Sequence, residues 1–194
     1  TAAQMAKEAR QGFALMSRTQ YTQGFNNYDN QEWMWGSRII QAETNYFYSF
    51  FAYMSMNFNA SAIRATPKTI FSVLYDKMAD TDIRKSLFDP TGKNKVDFPL
   101  PASSYSRVTY QHKKFLVVDA SSSIGDVPYM RAAEMYLIEA EALAAQNKDS
   151  EAADVLQQQN IVDKPDKLKN YAGIINEQTS HLQSQVQRLL EIAY

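Results

Sequence analysis

The chain has 194 residues, 45% of them hydrophobic, and a formal net charge of -1 at pH 7. A chain of this length can bury roughly 70% of the surface that its unfolded form exposes, so a hydrophobic core is feasible and a disordered polyelectrolyte is excluded. The balanced charge also argues against a nucleic-acid partner, because no basic cluster could displace counterions from phosphates. The sequence has no cysteine, which excludes disulfides and thiol chemistry.

Helical periodicity and turn residues divide the chain into five regions, which we assign to a single domain, residues 1–194. In chain order they are a helix at 1–17, an aromatic, loop-rich segment at 18–66, helices at 67–88, an irregular segment at 89–125, and a helical hairpin with a terminal helix at 126–194. This order predicts a mainly α fold with a few short strands.

The apolar positions of the first four regions define their expected faces. The first helix should bury Met5, Ala9, Phe13 and Met16. Short strands are predicted at residues 33–40 and 114–118. A helix should begin at Thr66 and Pro67, as cap and first residue, with an apolar stripe formed by Ile70, Phe71, Leu74, Tyr75 and Met78.

Residues 126–159 carry the strongest helical pattern. Asp126 fits an N-cap, and Pro128 lies early enough for its missing N–H to be harmless. The expected stripe consists of Met130, Ala133, Leu137, Ala140 and Ala144. A second helix, capped by Asp149 or Ser150, follows after a short break. We therefore predict an αα-hairpin of the tetratricopeptide type, with Leu137 and Ala140 facing the second helix and Glu139 on the opposite face.

Residues 21–58 hold half of the aromatic residues, including both tryptophans, but only four charged ones. Sugar rings present apolar C–H faces that stack on aromatic rings, while amides bond their hydroxyls. The segment therefore predicts a carbohydrate platform, whose candidate contacts are Trp33, Trp35, Asn45, Tyr46 and Tyr48. The alternative for each ring is packing in the core, and for Asn45 it is turn formation.

The remaining polar residues do not form a catalytic pattern. Asp82 or Thr81 is expected to cap a short helix at residues 83–88, since Arg84 and Lys85 stand where a calcium loop would need oxygen ligands. Glu134 and Glu141 lie two turns apart on one helix, which favours a solvated face over an acid pair. His112 and His181 are far apart in sequence. We expect no catalytic residue, no metal site and no cofactor.

Four segments, in order, resemble the SusD-like (SusD/RagB) family. The run PYMRAAEMYLIEAEAL at residues 128–143 resembles its signature helix, and QEWMWG at 31–36 resembles its Glu-(apolar)-(apolar)-Trp-Gly strand. NYFYSFFA at 45–52 is similar to the aromatic segment that follows this strand, and LYDKMADTDIRKSLF at 74–88 to its Tyr-Asp helix leading into Asp-x-Arg.

This resemblance implies a glycan-binding outer-membrane lipoprotein of Bacteroidota. Such a protein binds nutrients at the cell surface without catalysis and works beside a TonB-dependent, SusC-like transporter. The resemblance thus implies a glycan ligand, an outer-membrane location, and a membrane link only through an N-terminal lipid anchor that this chain does not contain.

Departures from the family pattern indicate a fragment. Family members are much longer and begin with a lipobox cysteine, and QQQNIV at residues 157–162 replaces the expected Asn-x-x-Arg-x-Arg-Ala-Gly. A second hypothesis, from a different class, is a helical-repeat scaffold that binds a protein or peptide on its helices. An enzyme such as a glycoside hydrolase is the third hypothesis. It is ranked last because no converging acid pair is visible.

Overall fold

The computed structural model describes residues 1–98, 108–119 and 121–158. In that part of the chain the α-helices are α1 (Ala2–Ala9), α2 (Arg18–Tyr21), α3 (Phe50–Met54), α4 (Ser61–Ala65), α5 (Ser72–Lys77), α6 (Ala132–Ala144) and α7 (Asp149–Gln158). The strands are β1 (Trp33–Ser37), β2 (Phe88–Asp89), β3 (Gln111–His112) and β4 (Val127–Arg131). Short 3₁₀ helices lie at Gln41–Glu43 and Ile83–Leu87. This mixture confirms a helical fold with a few short strands.

The chain forms two compact units, one from Thr1–Leu15 with Arg131–Tyr194 and the other from Met16–Met130. The assignment of all 194 residues to one domain stays a prediction. The predicted terminal helix at 175–194 and His181 lie outside the described residues. None of the described helices is long and apolar enough to cross a membrane.

The first unit is built from α1, α6 and α7. Its core joins Ala140, Leu143 and Ala144 of α6 to apolar side chains of α7, while Ala3 adds a contact from α1. The turn between α6 and α7 is a Schellman motif, because Lys148 N donates to Leu143 O over 3.0 Å and Asn147 adopts a left-handed φ of 60°. The predicted pair of helices joined by a short turn is therefore present.

The predicted start of α6 was wrong, and so was part of its predicted face: Ala140 and Ala144 are buried as expected, but Leu137 and Glu139 are not placed as expected. Residues 127–131 form β4, which pairs with β1, so the helix begins at Ala132 and Asp126 does not cap it. Leu137 is 49% exposed, whereas Glu139 is buried. The reason is that α6 contacts both α1 and α7, so its buried surface is wider than a single stripe.

The first helix is also shorter than predicted. Thr1 caps α1, which ends at Ala9, and Gly12 follows with a left-handed φ of 84°. Ala3 and Ala6 are its buried residues, while Met5 is exposed. The small alanine side chains, and not the methionine, therefore form the packed face.

The second unit contains two small sheets and a core of aromatic and aliphatic side chains. β1 pairs with β4, and β2 pairs with β3 in antiparallel register, with Phe88 opposite His112. The core comprises Phe51, Ala52, Phe58, Ala60, Ile63 and Val117.

Two further sequence predictions failed in this unit. The helix expected from Thr66 begins only at Ser72, because Thr69 forms a bridge to Gln111, and Phe71 and Leu74 of its stripe are exposed. The strand expected at 114–118 is absent from the described residues, and the pairing residues of that region are 111–112. Nonlocal pairing with β2 determines which residues become strand.

Candidate functional site

An exposed row of rings, here called the aromatic strip, consists of Tyr46, Phe47, Tyr48, Phe50 and Tyr53. Tyr48 is the most exposed of them, at 73%, and Tyr46 is 37% exposed. The first rings lie on a tight turn of the backbone, in which Tyr48 N donates to Asn45 O over 3.2 Å. Ser49 then caps α3 by accepting from Ala52 N at 3.1 Å.

Two buried rings and one partly buried ring support the aromatic strip. Tyr46 makes an edge contact with the buried Phe58, with ring centroids 4.9 Å apart, and Phe50 makes edge contacts with Phe51 and Phe115 at 5.3 and 5.0 Å. Edge contacts of this kind fix ring orientation. The strip is therefore a pre-formed surface attached to the core.

The strip is also poor in charge. No charged residue occurs in the sequence between Glu43 and Arg64. The ammonium of Lys114 lies 5.1 Å from the centroid of Phe115, the ring that supports Phe50. The surface chemistry of the strip itself thus consists of apolar ring faces and tyrosine hydroxyls, which suits a neutral, hydroxyl-rich ligand.

The two tryptophans of β1 differ in burial, although residues two apart on a regular strand point to the same face. Trp33 is only 6% exposed and contacts the ring of Tyr28, and its Nε1 has no hydrogen-bond partner among the described residues. Trp35 is 59% exposed and makes an edge contact with Tyr129 at 5.1 Å. Of these two candidates, only Trp35 offers its ring to a ligand.

Asn45 and Asn57 have different roles, one at the surface and one in holding the fold. Asn45 is exposed beside the strip. The amide of Asn57 instead serves the fold, since its Oδ1 accepts from Val117 N at 3.0 Å and its Nδ2 donates to Val117 O at 3.3 Å. Asn45 and the exposed rings Trp35, Tyr46 and Tyr48 are thus all accessible, although among the described residues no ring contact joins Trp35 to the strip.

The acidic residues that could suggest metal or acid–base chemistry have structural roles. Asp82 accepts from Arg84 N at 2.9 Å and so caps the helix Ile83–Leu87, as predicted. Burial would raise the pKa of Asp82, but its bonds from Arg84 lower it overall. Glu134 and Glu141 are exposed. Among the residues that the structure describes, no group of three or more metal-ligand side chains converges.

Sequence reasoning missed some exposed rings. Phe47, Phe50 and Tyr53 belong to the strip, but they were not separated from core rings because aromatic type does not tell burial. Tyr129 was missed because residues 126–131 were assigned to a helix. Pro128 gave no signal that separates the strand from a helix start, because proline is tolerated both in the first helical turn and on an edge strand.

Comparisons with known proteins identify related sequences and folds. The model of the SusD family matches residues 4–174. A SusD-like carbohydrate binding protein from Bacteroides vulgatus ATCC 8482 has a similar structure, with a TM-score of 0.63 and 22% identity. The match covers 88% of this chain and 36% of that chain, so this chain spans little more than a third of that protein. No curated protein matches the chain.

Proposed function

Because this chain belongs to the SusD family, we propose that it binds a glycan without catalysis, through the aromatic strip at residues 46–53. The observation that carries the proposal is the exposure of this charge-poor row of rings, which is supported by the buried Phe51 and Phe58 and the partly buried Phe115. Tyr46 and Tyr48 would stack on sugar rings, Asn45 would bond hydroxyls, and Trp35 would add a further ring. Trp33 is left out because its ring is buried.

The cellular role follows from the family. We propose that the glycan is captured at the outer face of the outer membrane and passed to a TonB-dependent, SusC-like transporter, and that the mature protein is a lipoprotein. The α6–α7 pair would belong to a tetratricopeptide-like helical layer, which fits its short Schellman turn. A similar carbohydrate-binding fold in the Bacteroides vulgatus protein supports the glycan part of this proposal.

Titration calorimetry tests the proposal. The 194-residue chain would be titrated with cellohexaose, maltohexaose, xylohexaose and mannohexaose. Tyr48→Ala should weaken binding of the preferred sugar by roughly 1–3 kcal/mol without lowering the melting temperature, because this ring is mostly in solvent. Tyr46→Ala should weaken binding and also lower the melting temperature, since Tyr46 packs on Phe58.

A matched control is Phe71→Ala, which removes an exposed ring from the edge of α5, away from residues 46–53. It should leave binding unchanged. Raising the salt concentration should also have little effect, because stacking and neutral hydrogen bonds are not screened. Equal affinity of the wild type, Tyr48→Ala and Phe71→Ala for the bound sugar would contradict the proposed site.

A second candidate function, protein or peptide binding by a helical scaffold, is favoured by the exposed apolar side chains Leu137 and Ile138 on α6. Ile138 also lines a shallow groove of about 390 Å³ with Ala142 and Ala145. In this case Leu137→Glu should abolish partner binding, whereas under the glycan proposal the same change should leave sugar affinity intact.

A further inference from the structure

The exposed side of the β1–β4 sheet carries a second pair of rings. Trp35 and Tyr129 are 59% and 53% exposed, and their centroids lie 5.1 Å apart at an interplanar angle of 66°. We infer that these two rings form a second sugar contact, in addition to the aromatic strip, that takes one uncharged pyranose ring of the bound glycan. This inference rests on the proposed function and extends it to residues that the strip does not include.

The pair is held in place by its strands. Ser37 Oγ and Tyr129 Oη lie 2.5 Å apart in a hydrogen bond that joins β1 to β4 and orients the phenol. Two residues before Trp35 on β1, Trp33 is buried and anchors the strand. The rings therefore need no rearrangement to receive a ligand, which lowers the entropic cost of binding.

The chemistry of the pair fits a sugar ring. The indole of Trp35 is a broad apolar face on which pyranose C–H groups can stack, and the linked hydroxyls of Ser37 and Tyr129 can exchange hydrogen bonds with sugar hydroxyls. Two polar groups beside an exposed aromatic face are the usual composition of such a contact.

The charge that directly follows β1 is already compensated. Arg38, the residue after β1, pairs with Asp29 and lies over the ring of Tyr28, with its guanidinium carbon 5.1 Å from the centroid. An acidic sugar would have to compete with Asp29 for this guanidinium. The charge pattern therefore favours a neutral sugar over a uronic acid or a sulfated one.

The pair and the strip are supported differently. Rings of the strip contact Phe51, Phe58 and Phe115, whereas Trp35 contacts Tyr129 across two strands. Removing Tyr129 should therefore leave the strip intact. This independence makes it possible to test each surface by itself.

The experiment uses calorimetric titration of the 194-residue chain with the four hexasaccharides named above and with galacturonic acid oligomers as the acidic probe. Tyr129→Ala and Trp35→Ala should each weaken binding of the preferred neutral sugar by roughly tenfold, and Tyr129→Phe, which keeps the ring, should weaken it less. Phe71→Ala is the control for loss of an exposed ring, and melting curves check that every variant is folded.

The outcomes separate the two proposals. If Tyr129→Ala and Trp35→Ala bind like Phe71→Ala while Tyr48→Ala loses affinity, the second contact is wrong and the proposed function stands. Tighter binding of galacturonic acid oligomers than of every neutral sugar would overturn the neutral specificity. If the wild type binds none of the sugars, both proposals fail.

Discussion

Arg10 donates from Nε to Glu139 Oε2 over 2.7 Å, which joins the residue after α1 to the middle of α6. The same guanidinium lies 4.0 Å from the centroid of the Tyr136 ring, one turn earlier on the helix. Glu139 is buried, and Arg10 is the oppositely charged partner of its carboxylate. The Arg10–Glu139 ion pair thus holds α1 against α6. The sequence pattern instead predicts Glu139 on the face of α6 that points away from the second helix.

Replacing Glu139 by alanine should therefore destabilise the protein by about 3 kcal/mol, because the change leaves a partly buried arginine without its counter-charge. Glu141→Ala, an exposed change on the same helix, should cost less than about 1 kcal/mol. Arg10→Ala and Glu139→Ala combined should cost less than the sum of the single changes. Urea unfolding gives the free energy of unfolding of the wild type and of these four variants. Equal losses for Glu139→Ala and Glu141→Ala would show that the ion pair has no stabilising role.

The α6–α7 contact can be tested by placing a charge on either side of α6. Ala140 is 1% exposed and faces α7, so Ala140→Glu should bury an unpaired carboxylate and destabilise by several kcal/mol. Leu137→Glu introduces the same side chain at an exposed position and should cost under about 1 kcal/mol. Thermal melts distinguish the two variants, and a larger loss for Leu137→Glu would mean that α6 is rotated from the orientation described.

Asp126 links three segments of the second unit. Its carboxylate accepts from Tyr28 N and Ile39 N, each at 2.8 Å, and its own N–H donates to Asn26 O at 2.9 Å. Asp126→Ala should cost roughly 2–4 kcal/mol, because two part-buried amides lose a charged acceptor. Asp76→Ala, at an exposed position of α5, is the matched control and should be nearly neutral. Denaturant midpoints that are the same for both variants would refute the linking role.

The buried His112 makes stability depend on pH. Burial, together with the charges of Lys114 and Lys68, lowers its pKa from 6.5 to about 4, and its Nδ1 accepts from Lys114 N at 3.2 Å. Between these two values the unfolded chain binds more protons than the folded one. This contribution is therefore fully present above pH 6.5 and is lost as the pH falls toward 4.

The expected loss is about 2 kcal/mol between pH 7 and pH 5. His112→Asn removes the titrating group, so its unfolding free energy should change less over that interval, whatever its absolute stability. His181 remains in both proteins and does not affect the difference between them. Urea unfolding at the two pH values is the measurement, and equal pH dependence in the two proteins would assign the effect to other groups.

Sequence reasoning worked where structure depends on neighbours along the chain. The α6–α7 pair follows from helical spacing and a short polar break, and the capping role of Asp82 follows from its place before Ile83. It failed where distant segments meet. Residues 127–131 became a strand because they pair with β1, and Leu137 is exposed because α1 and α7 cover other sides of α6.

The candidate site shows the same contrast between features set by the local sequence and features set by contacts between distant segments. Strand alternation puts residues two apart on one face, so it does not separate buried Trp33 from exposed Trp35, which differ through their contacts with Tyr28 and Tyr129. The aromatic excess of residues 21–58 identified the segment, while the distinction between exposed Tyr48 and buried Phe51 required the fold. Aromatic residues serve both core and surface, so composition cannot make that distinction.

Gly36 permits only one alignment of β1 with β4. A Cβ at this position would lie 2.6 Å from Val127 O, closer than carbon and oxygen can approach. If β1 slipped by one residue, Trp35 or Ser37 would bring a Cβ to that carbonyl, and Trp33 would leave the interior. The missing side chain of Gly36 thus excludes these slipped alignments. The outward direction of Trp35 is consequently a property of the strand pairing, and it persists as long as the two strands remain paired.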